Sequence, residues 1–239
     1  MGQVQDRVVG ILGGMGPEAT AELFWKIIKA TPVRSEQEHL RIIIDNNPKI
    51  PDRTLAILNR GESPLKELID TALNLERAGA EIIAIPCNTA HYYLDDLRKN
   101  VHVPVIDMIL ETANYILTEY PKIEKLGLLA TVGTVKTQLY QHNLKPRKVL
   151  LPDRKSQEEL MEVIYGKRGI KVGFTHGPTR SKALRIAQSL IACGAEVIIV
   201  GCTELSLVLS KQEVSVPLID PLQILAMTIV REAKSGRRW

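Results

Sequence analysis

At 239 residues, 45% hydrophobic and 24% charged, the chain has an ordinary globular composition with room for one large core or two small ones. Its net charge of +4, and only two Trp, six Tyr and two Phe, argue against a nucleic-acid-binding surface. The N-terminus shows no charged-then-apolar leader and no apolar run is long enough to span a bilayer, so a cytoplasmic protein without membrane association is expected.

Val8-Val9-Gly10-Ile11-Leu12 predicts a buried strand, followed by a glycine turn and a helix that opens near Pro17 and runs through residues 19–28. Arg41-Ile42-Ile43-Ile44-Asp45 predicts a second buried strand, and residues 46–54 a polar loop. Residues 65–78 predict a helix capped by Gly79. Residues 81–85 predict a strand with Cys87 just past its carboxyl end, and residues 103–107 another short strand. Residues 126–134 then echo residues 9–17. Residues 181–192 predict a long helix with Gly194 after it, and residues 197–200 a strand ending near Cys202. Residues 216–220 mirror residues 103–107, and helices are expected to start near Met108 and Pro221. The basic tail from Lys234 to Trp239 reads as a frayed end.

The strongest pattern is a repeat. Ala78-Gly79-Ala80-Glu81-Ile82-Ile83-Ala84-Ile85-Pro86-Cys87-Asn88-Thr89 recurs as Cys193-Gly194-Ala195-Glu196-Val197-Ile198-Ile199-Val200-Gly201-Cys202-Thr203-Glu204, without a gap, 115 residues later. Alternating strands and helices predict an α/β fold of two similar halves with doubly wound parallel sheets: residues 1–107, with 221–239 a candidate to return there, and residues 108–220. Open parallel sheets bind ligands beyond the carboxyl ends of their strands, so each half is expected to place one thiol on a wall of a shared cleft.

A cysteine becomes an effective base only as its thiolate, which a helix N-terminus or a cation stabilises. Asn88 and Thr203 are candidate capping or first-turn residues that would bring backbone N–H groups near each sulfur. Two opposed acid/base groups suit inversion at a carbon bearing an acidic hydrogen: one removes the proton, the other delivers one to the opposite face. That chemistry expects the sulfurs about 7 Å apart, too far for a disulfide. Cys193 is expected to be a small hydrophobe on the apolar face of its helix. His91, one helical turn after Cys87, could support a thiolate or simply pack or cap. The glycine turn lacks a dinucleotide fingerprint and reads as a backbone cradle, with Met15 a candidate to touch substrate. The remaining histidines are scattered, and the cysteine spacing matches no zinc pattern, so no metal is expected.

The segments Gly10-Ile11-Leu12-Gly13-Gly14-Met15-Gly16-Pro17, Asn46-Asn47-Pro48 with Ile50-Pro51-Asp52-Arg53-Thr54, Pro86-Cys87-Asn88-Thr89-Ala90-His91 and Gly201-Cys202-Thr203-Glu204 resemble the aspartate/glutamate racemase family, in its aspartate racemase branch with broad-specificity amino-acid racemases. The resemblance runs from Val8 to about Ala233. It implies two α/β domains related by pseudo-two-fold symmetry that enclose a small amino-acid substrate, and α-proton exchange without pyridoxal phosphate or any other cofactor. By this resemblance Cys87 and Cys202 are the acid/base pair and Arg53 binds a substrate carboxylate. Asn88, Thr89, Ala90, Thr203 and Glu204 line the site. Lys171 matches the family's substrate-binding lysine if a two-residue insertion is allowed, with Lys167 as competitor for the side-chain pocket and Arg168 nearby. A homodimer is expected on the same footing.

The resemblance leaves other two-cysteine isomerases open, such as a hydantoin racemase or a maleate isomerase. A protein that binds an amino acid without turning it over would not need both cysteines, and both are present. A thiol redox protein would form a Cys87–Cys202 disulfide under mild oxidation, and no Cys-x-x-Cys is found.

Overall fold

The computed structural model describes residues 6–235; Gly236 to Trp239 of the basic tail lie outside them. It divides into two compact units. The first holds the chain up to Glu111 and again from Leu222 onward; the second is Thr112–Pro221.

In chain order the first unit contains β1 (Val9–Gly13), α1 (Pro17–Ala30), β2 (Ile42–Asn46), α2 (Arg53–Ile57), α3 (Leu65–Arg77), β3 (Ile82–Ala84) and α4 (Leu94–Arg98). The chain leaves it along α5 (Met108–Glu119). The second unit contains β4 (Lys125–Ala130), α6 (Val132–Lys136), α7 (Leu139–Asn143), β5 (Lys148–Leu150), α8 (Arg154–Tyr165), α9 (Pro178–Ala192), β6 (Val197–Gly201) and β7 (Leu218–Ile219). The chain then returns along α10 (Pro221–Lys234). Among the described residues no helix is long and apolar enough to cross a membrane.

Both sheets are parallel and share one order. The first runs β2-β1-β3, and a single parallel bridge from Ile83 to Val105 adds a rudimentary fourth position. The second runs β5-β4-β6-β7. Side chains alternate across each strand, so the first sheet feeds two cores. Val9, Ile11, Ile82 and Ala84 pack with Leu23 and Ile27 of α1 and Leu222, Leu225 and Ile229 of α10. Leu12, Ile83 and Ile85 pack on the other face with Leu68, Ala72 and Leu75 of α3. Helices on both faces make the sheet doubly wound.

The repeat is carried into the packing. Leu68, Ala72, Leu75, Ala80, Ile83, Ile85 and Cys87 share one core cluster. Ala183, Ala187, Leu190, Ala195, Ile198, Val200 and Cys202, each 115 residues further on, share another. In both units a glycine on the central strand lets the helix come close. A Cβ on Gly10 would stand 2.9 Å from Ala80 Cβ and 3.4 Å from Leu75 Cβ; on Gly127 it would stand 3.1 Å from Ala195 Cβ and 3.2 Å from Leu190 Cβ. Both helices end the same way. Gly79 and Gly194 take φ of 97° and 95°, and the N–H groups of Ala80 and Ala195 donate to the carbonyls of Leu75 and Leu190.

Four local expectations are corrected. The isoleucine-rich β2 is a half-exposed edge strand, because only β1 pairs with it. Residues 103–107 make one bridge, not a strand. Arg53 opens a helix instead of lying in a loop, since Asp52 accepts from the Leu55 N–H at 2.8 Å and starts α2. Cys193 is exposed at the C-cap of α9: the buried face of that helix ends at Leu190, and the chain turns away at Gly194.

Candidate active site

Cys87 lies just beyond the carboxyl end of β3, and Cys202 directly after β6. Both are thiols, 6% and 5% exposed. Each leads into a short 3-10 turn, Thr89–Tyr93 in the first unit and Thr203–Leu207 in the second.

In the first unit, the loop after β1 is pressed against the loop after β2. Gly14 has φ of 94°, and a Cβ there would fall 2.3 Å from the Asn47 carbonyl carbon, so only glycine fits. Its N–H donates to Thr20 Oγ1 at 2.9 Å, while Asn47 Nδ2 donates to Thr71 Oγ1 at 3.1 Å. These clasps place Arg53, which is buried. Its guanidinium donates to the carbonyls of Pro51 at 3.0 Å, Ile50 at 3.3 Å and Met15 at 3.3 Å. Met15's side chain joins the core cluster that contains Cys87, so its contribution at this point is the carbonyl that steadies Arg53.

Asn88, Thr89 and Ala90 are all buried behind Cys87; Asn88 heads the turn without a side-chain cap bond. His91 resolves to a bridge between backbone groups. Its Nε2 accepts from the Met108 N–H at 3.1 Å, which leaves Nδ1–H to donate to the Cys87 carbonyl at 2.9 Å. Burial pulls this imidazole below its ordinary value; Asp107 and the bonds to Cys87 and Ile106 work the other way without overcoming it. A neutral ring is what the two bonds require.

The second unit surrounds its thiol differently. Cys202 Sγ donates to Glu204 Oε2 at 3.0 Å, and the Thr203 hydroxyl donates to the same oxygen at 3.3 Å. Glu204 is buried, and its other oxygen, Oε1, forms an ion pair with Lys171 Nζ. Burial opposes ionisation of this carboxyl. The charge and hydrogen bond of Lys171, with the bonds from Cys202 and its own backbone, outweigh it and hold Glu204 below the ordinary range. Lys171 sits on the 3-10 turn Ile170–Val172, with its Nζ 5.5 Å from the Tyr165 ring centroid. Lys167, the alternative lysine, is exposed, as is Arg168.

Two further buried residues follow the neighbouring strand: β4 ends with Ala130 paired to Gly201, and Thr131 and Thr134 come next at the start of α6. The echo between residues 126–134 and 9–17 was the sequence signal for them. Among the described residues, no group of three His, Cys, Asp or Glu side chains is placed to hold a metal. A cavity of about 520 Å³ in the first unit, lined by Arg98, His102, Pro104, Leu110, Thr228 and Arg231 among others, includes none of the site residues.

A buried thiol at the end of the same strand in two duplicated sheets, with a buried arginine in the first unit, matches a known group of proteins. Residues 12–229 match the family described as Asp/Glu/Hydantoin racemase. The chain belongs to that family. RacX, a broad-specificity amino-acid racemase of Bacillus subtilis (strain 168), is 29% identical over 231 residues, which cover 93% of this chain and 96% of RacX. The aspartate racemase of Picrophilus torridus superposes with a TM-score of 0.83 at 28% identity, covering 95% of this chain and 94% of that one. An aspartate racemase homologue from Pyrococcus horikoshii OT3 gives 0.73 at 30% identity, covering 96% and 100%. Glutamate racemase from Francisella tularensis, solved with D-glutamate, shares the fold at 19% identity and a TM-score of 0.68, covering 95% and 80%. This member of the Asp/Glu/hydantoin racemase family therefore has the parallel α/β architecture of aspartate and glutamate racemases in both of its units.

Proposed function

We propose that this protein is an amino-acid racemase that inverts the α-carbon of aspartate, glutamate or a related amino acid without pyridoxal phosphate, with Cys87 and Cys202 as its two acid/base groups. The duplicated placement of the thiols carries this reading: two buried sulfurs held at equivalent strand ends by cores that match position by position. A single base would return the proton to the face it came from; inversion needs a second donor.

In the forward direction one sulfur, as thiolate, takes the α-hydrogen. The electron pair left on the α-carbon is spread into the carboxylate and then takes a proton from the other thiol. The Arg53 guanidinium, held in place by three carbonyls, offers the α-carboxylate a fixed pair of donors and stabilises the charge that builds there. Asn88, Thr89, Ala90 and Thr203 line the substrate's surroundings in this scheme.

The test is chiral chromatography after incubating purified protein with a panel of L- and D-amino acids and no added pyridoxal phosphate. Both enantiomers of at least one amino acid should converge on an equal mixture. Binding without conversion across the panel would reduce the protein to an amino-acid binder, and conversion only of hydantoins or of maleate would move it to another two-cysteine isomerase.

A further inference from the structure

The two thiols stand in chemically unequal surroundings, and the inequality lies in a buried carboxylate. Glu204, two residues after Cys202, corresponds at the 115-residue offset to Thr89, two residues after Cys87. Where the first unit has a hydroxyl, the second has an acid that touches the sulfur.

Resting on the two-thiol reading above, we propose that Glu204 is a positioning residue that keeps Cys202 in its thiol form in the resting protein, with Lys171 holding Glu204 ionised, so that Cys87 begins as the base and Cys202 as the proton donor. Geometry carries the inference. The Cys202 sulfur is 3.0 Å from Glu204 Oε2, a bond that only S–H can donate to a carboxylate. A thiolate in that place would set two negative charges side by side, which disfavours it. Glu204 is 2% exposed, and its other oxygen is committed to Lys171, so the carboxylate is not an open acceptor for substrate.

Lys171 comes from the turn after α8, Tyr165 lies beside Lys171 at the end of α8, and Thr203 shares Oε2. Asp220, at the start of the segment leading to α10, is bonded to Ser206 of the same 3-10 turn.

In the resting cycle the α-hydrogen leaves carbon for the Cys87 thiolate, forming a new S–H bond. The Cys202 S–H proton passes to the opposite face of the α-carbon, leaving a Cys202 thiolate next to Glu204. Lys171 faces that increase in negative charge across Glu204; Cys87 then releases its proton to water and Cys202 takes one up from water, which restores the resting pair.

The measurement is a pH titration of the Cys202 thiolate by its ultraviolet absorbance. It uses C87S/C193S protein, where Cys202 is the one remaining thiol, read against the C87S/C193S/C202S protein. Adding E204Q keeps the shape, removes the carboxylate and leaves Lys171 as a cation beside the sulfur. Ionisation should then move to lower pH by about one pH unit or more. Adding K171M instead should move it to higher pH, because the carboxylate loses its counter-charge. In the otherwise wild-type enzyme, E204Q should lower kcat with KM little changed.

An unmoved Cys202 titration in folded E204Q, or a rise in KM at unchanged kcat, would make Glu204 a substrate-contacting or merely structural residue and overturn the proposal. Should E204Q fail to fold, K171M alone decides it, since an unmoved or lowered titration there contradicts the proposal. The titration needs no turnover. A protein that racemises nothing can still show the Glu204 effect, and one that racemises well can lack it, so the two readings fail separately.

Discussion

In the first unit His91 spends both ring nitrogens on backbone groups and leaves the Cys87 sulfur alone, whereas in the second Glu204 accepts directly from the Cys202 sulfur. The scaffold around these two points is almost the same object twice. Strand order, the helix-end glycines, the glycine on the central strand and the core positions all repeat. Duplication of a fold has not brought duplication of the chemistry one or two residues past the thiol. Packing constrains the inward residues of strand and helix, while the turn beyond the strand end is free to differ.

The residue four after each cysteine shows how a difference can still do one job. His91 ties its turn to the Met108 N–H, but the second unit has Pro221 at the corresponding helix start, and proline carries no N–H. There Ser206 donates to the Asp220 carboxylate at 2.8 Å instead. Both bonds fasten the turn that follows a thiol to the chain after the outermost strand position.

The largest expected effect separates Arg53 from Lys171. Arg53→Ala should cost about 2–5 kcal/mol of transition-state stabilisation, a fall in kcat/KM of roughly 30-fold or more, if it holds the substrate carboxylate. Steady-state kinetics on Arg53→Ala and K171M side by side should show the first raising KM as well as lowering kcat and the second acting mainly on kcat; the reverse would swap the roles given to the two units.

Matched glycine substitutions probe the shared scaffold. Gly10→Ala and Gly127→Ala should each lose about 1–3 kcal/mol by denaturant unfolding, because a new methyl would stand 2.9 Å from Ala80 Cβ in the first and 2.6 Å from Ile198 Cδ1 in the second. A large loss in one and none in the other would show that the duplicated packing is not equivalent in energy.

His91→Ala should cost about 1–3 kcal/mol by leaving a buried N–H and carbonyl unpaired, and Ser206→Ala about 1 kcal/mol. The pH dependence distinguishes them further. The folded value of His91 lies below the ordinary 6.5, so the unfolded chain binds its proton first, and this contribution to stability is lost as pH falls below about 6.5. His91→Ala should remove that dependence, and Ser206→Ala should keep it.

The smallest effect concerns the acids that clamp the starts of the central strands. Glu196 accepts from the N–H groups of both Lys125 and Glu124, which lower its pKa, while Glu81 accepts from Val8 N–H. A carboxylate lowered on folding stabilises above its ordinary value of about 4.5 and loses that as pH falls through its folded value. Glu196→Gln should therefore flatten the acid limb of the stability curve slightly; an unchanged limb would leave the clamp without energetic weight.

Much of this was legible in the residues because the signals were local. Pro17 opening α1, Gly79 and Gly194 closing their helices, and apolar runs ending at Cys87 and Cys202 each report their own surroundings. The family segments singled out Arg53 and the thiols, each of which is buried. Less legible was whatever depended on a distant neighbour. β5, three residues with Lys148 exposed, has an apolar run too short to announce a strand and is paired only with β4. β2 looks buried by composition, yet lacks a second partner strand. The Lys171–Glu204 pair spans 33 residues, and nothing in the spelling of either segment announces that a lysine assigned to the substrate will meet an acid of its own unit.

The central claim is that two thiols divide one proton transfer between them, and deuterium uptake tests it most directly. Each enantiomer of a converted amino acid would be followed by NMR in deuterated water with wild type, Cys87→Ser and Cys202→Ser. Wild type should invert both enantiomers with solvent deuterium at the α-carbon. Each serine variant should lose racemisation by about 10²–10⁴-fold. What α-exchange survives should be confined to one enantiomer, opposite in the two variants. Full racemisation by either variant would contradict the account.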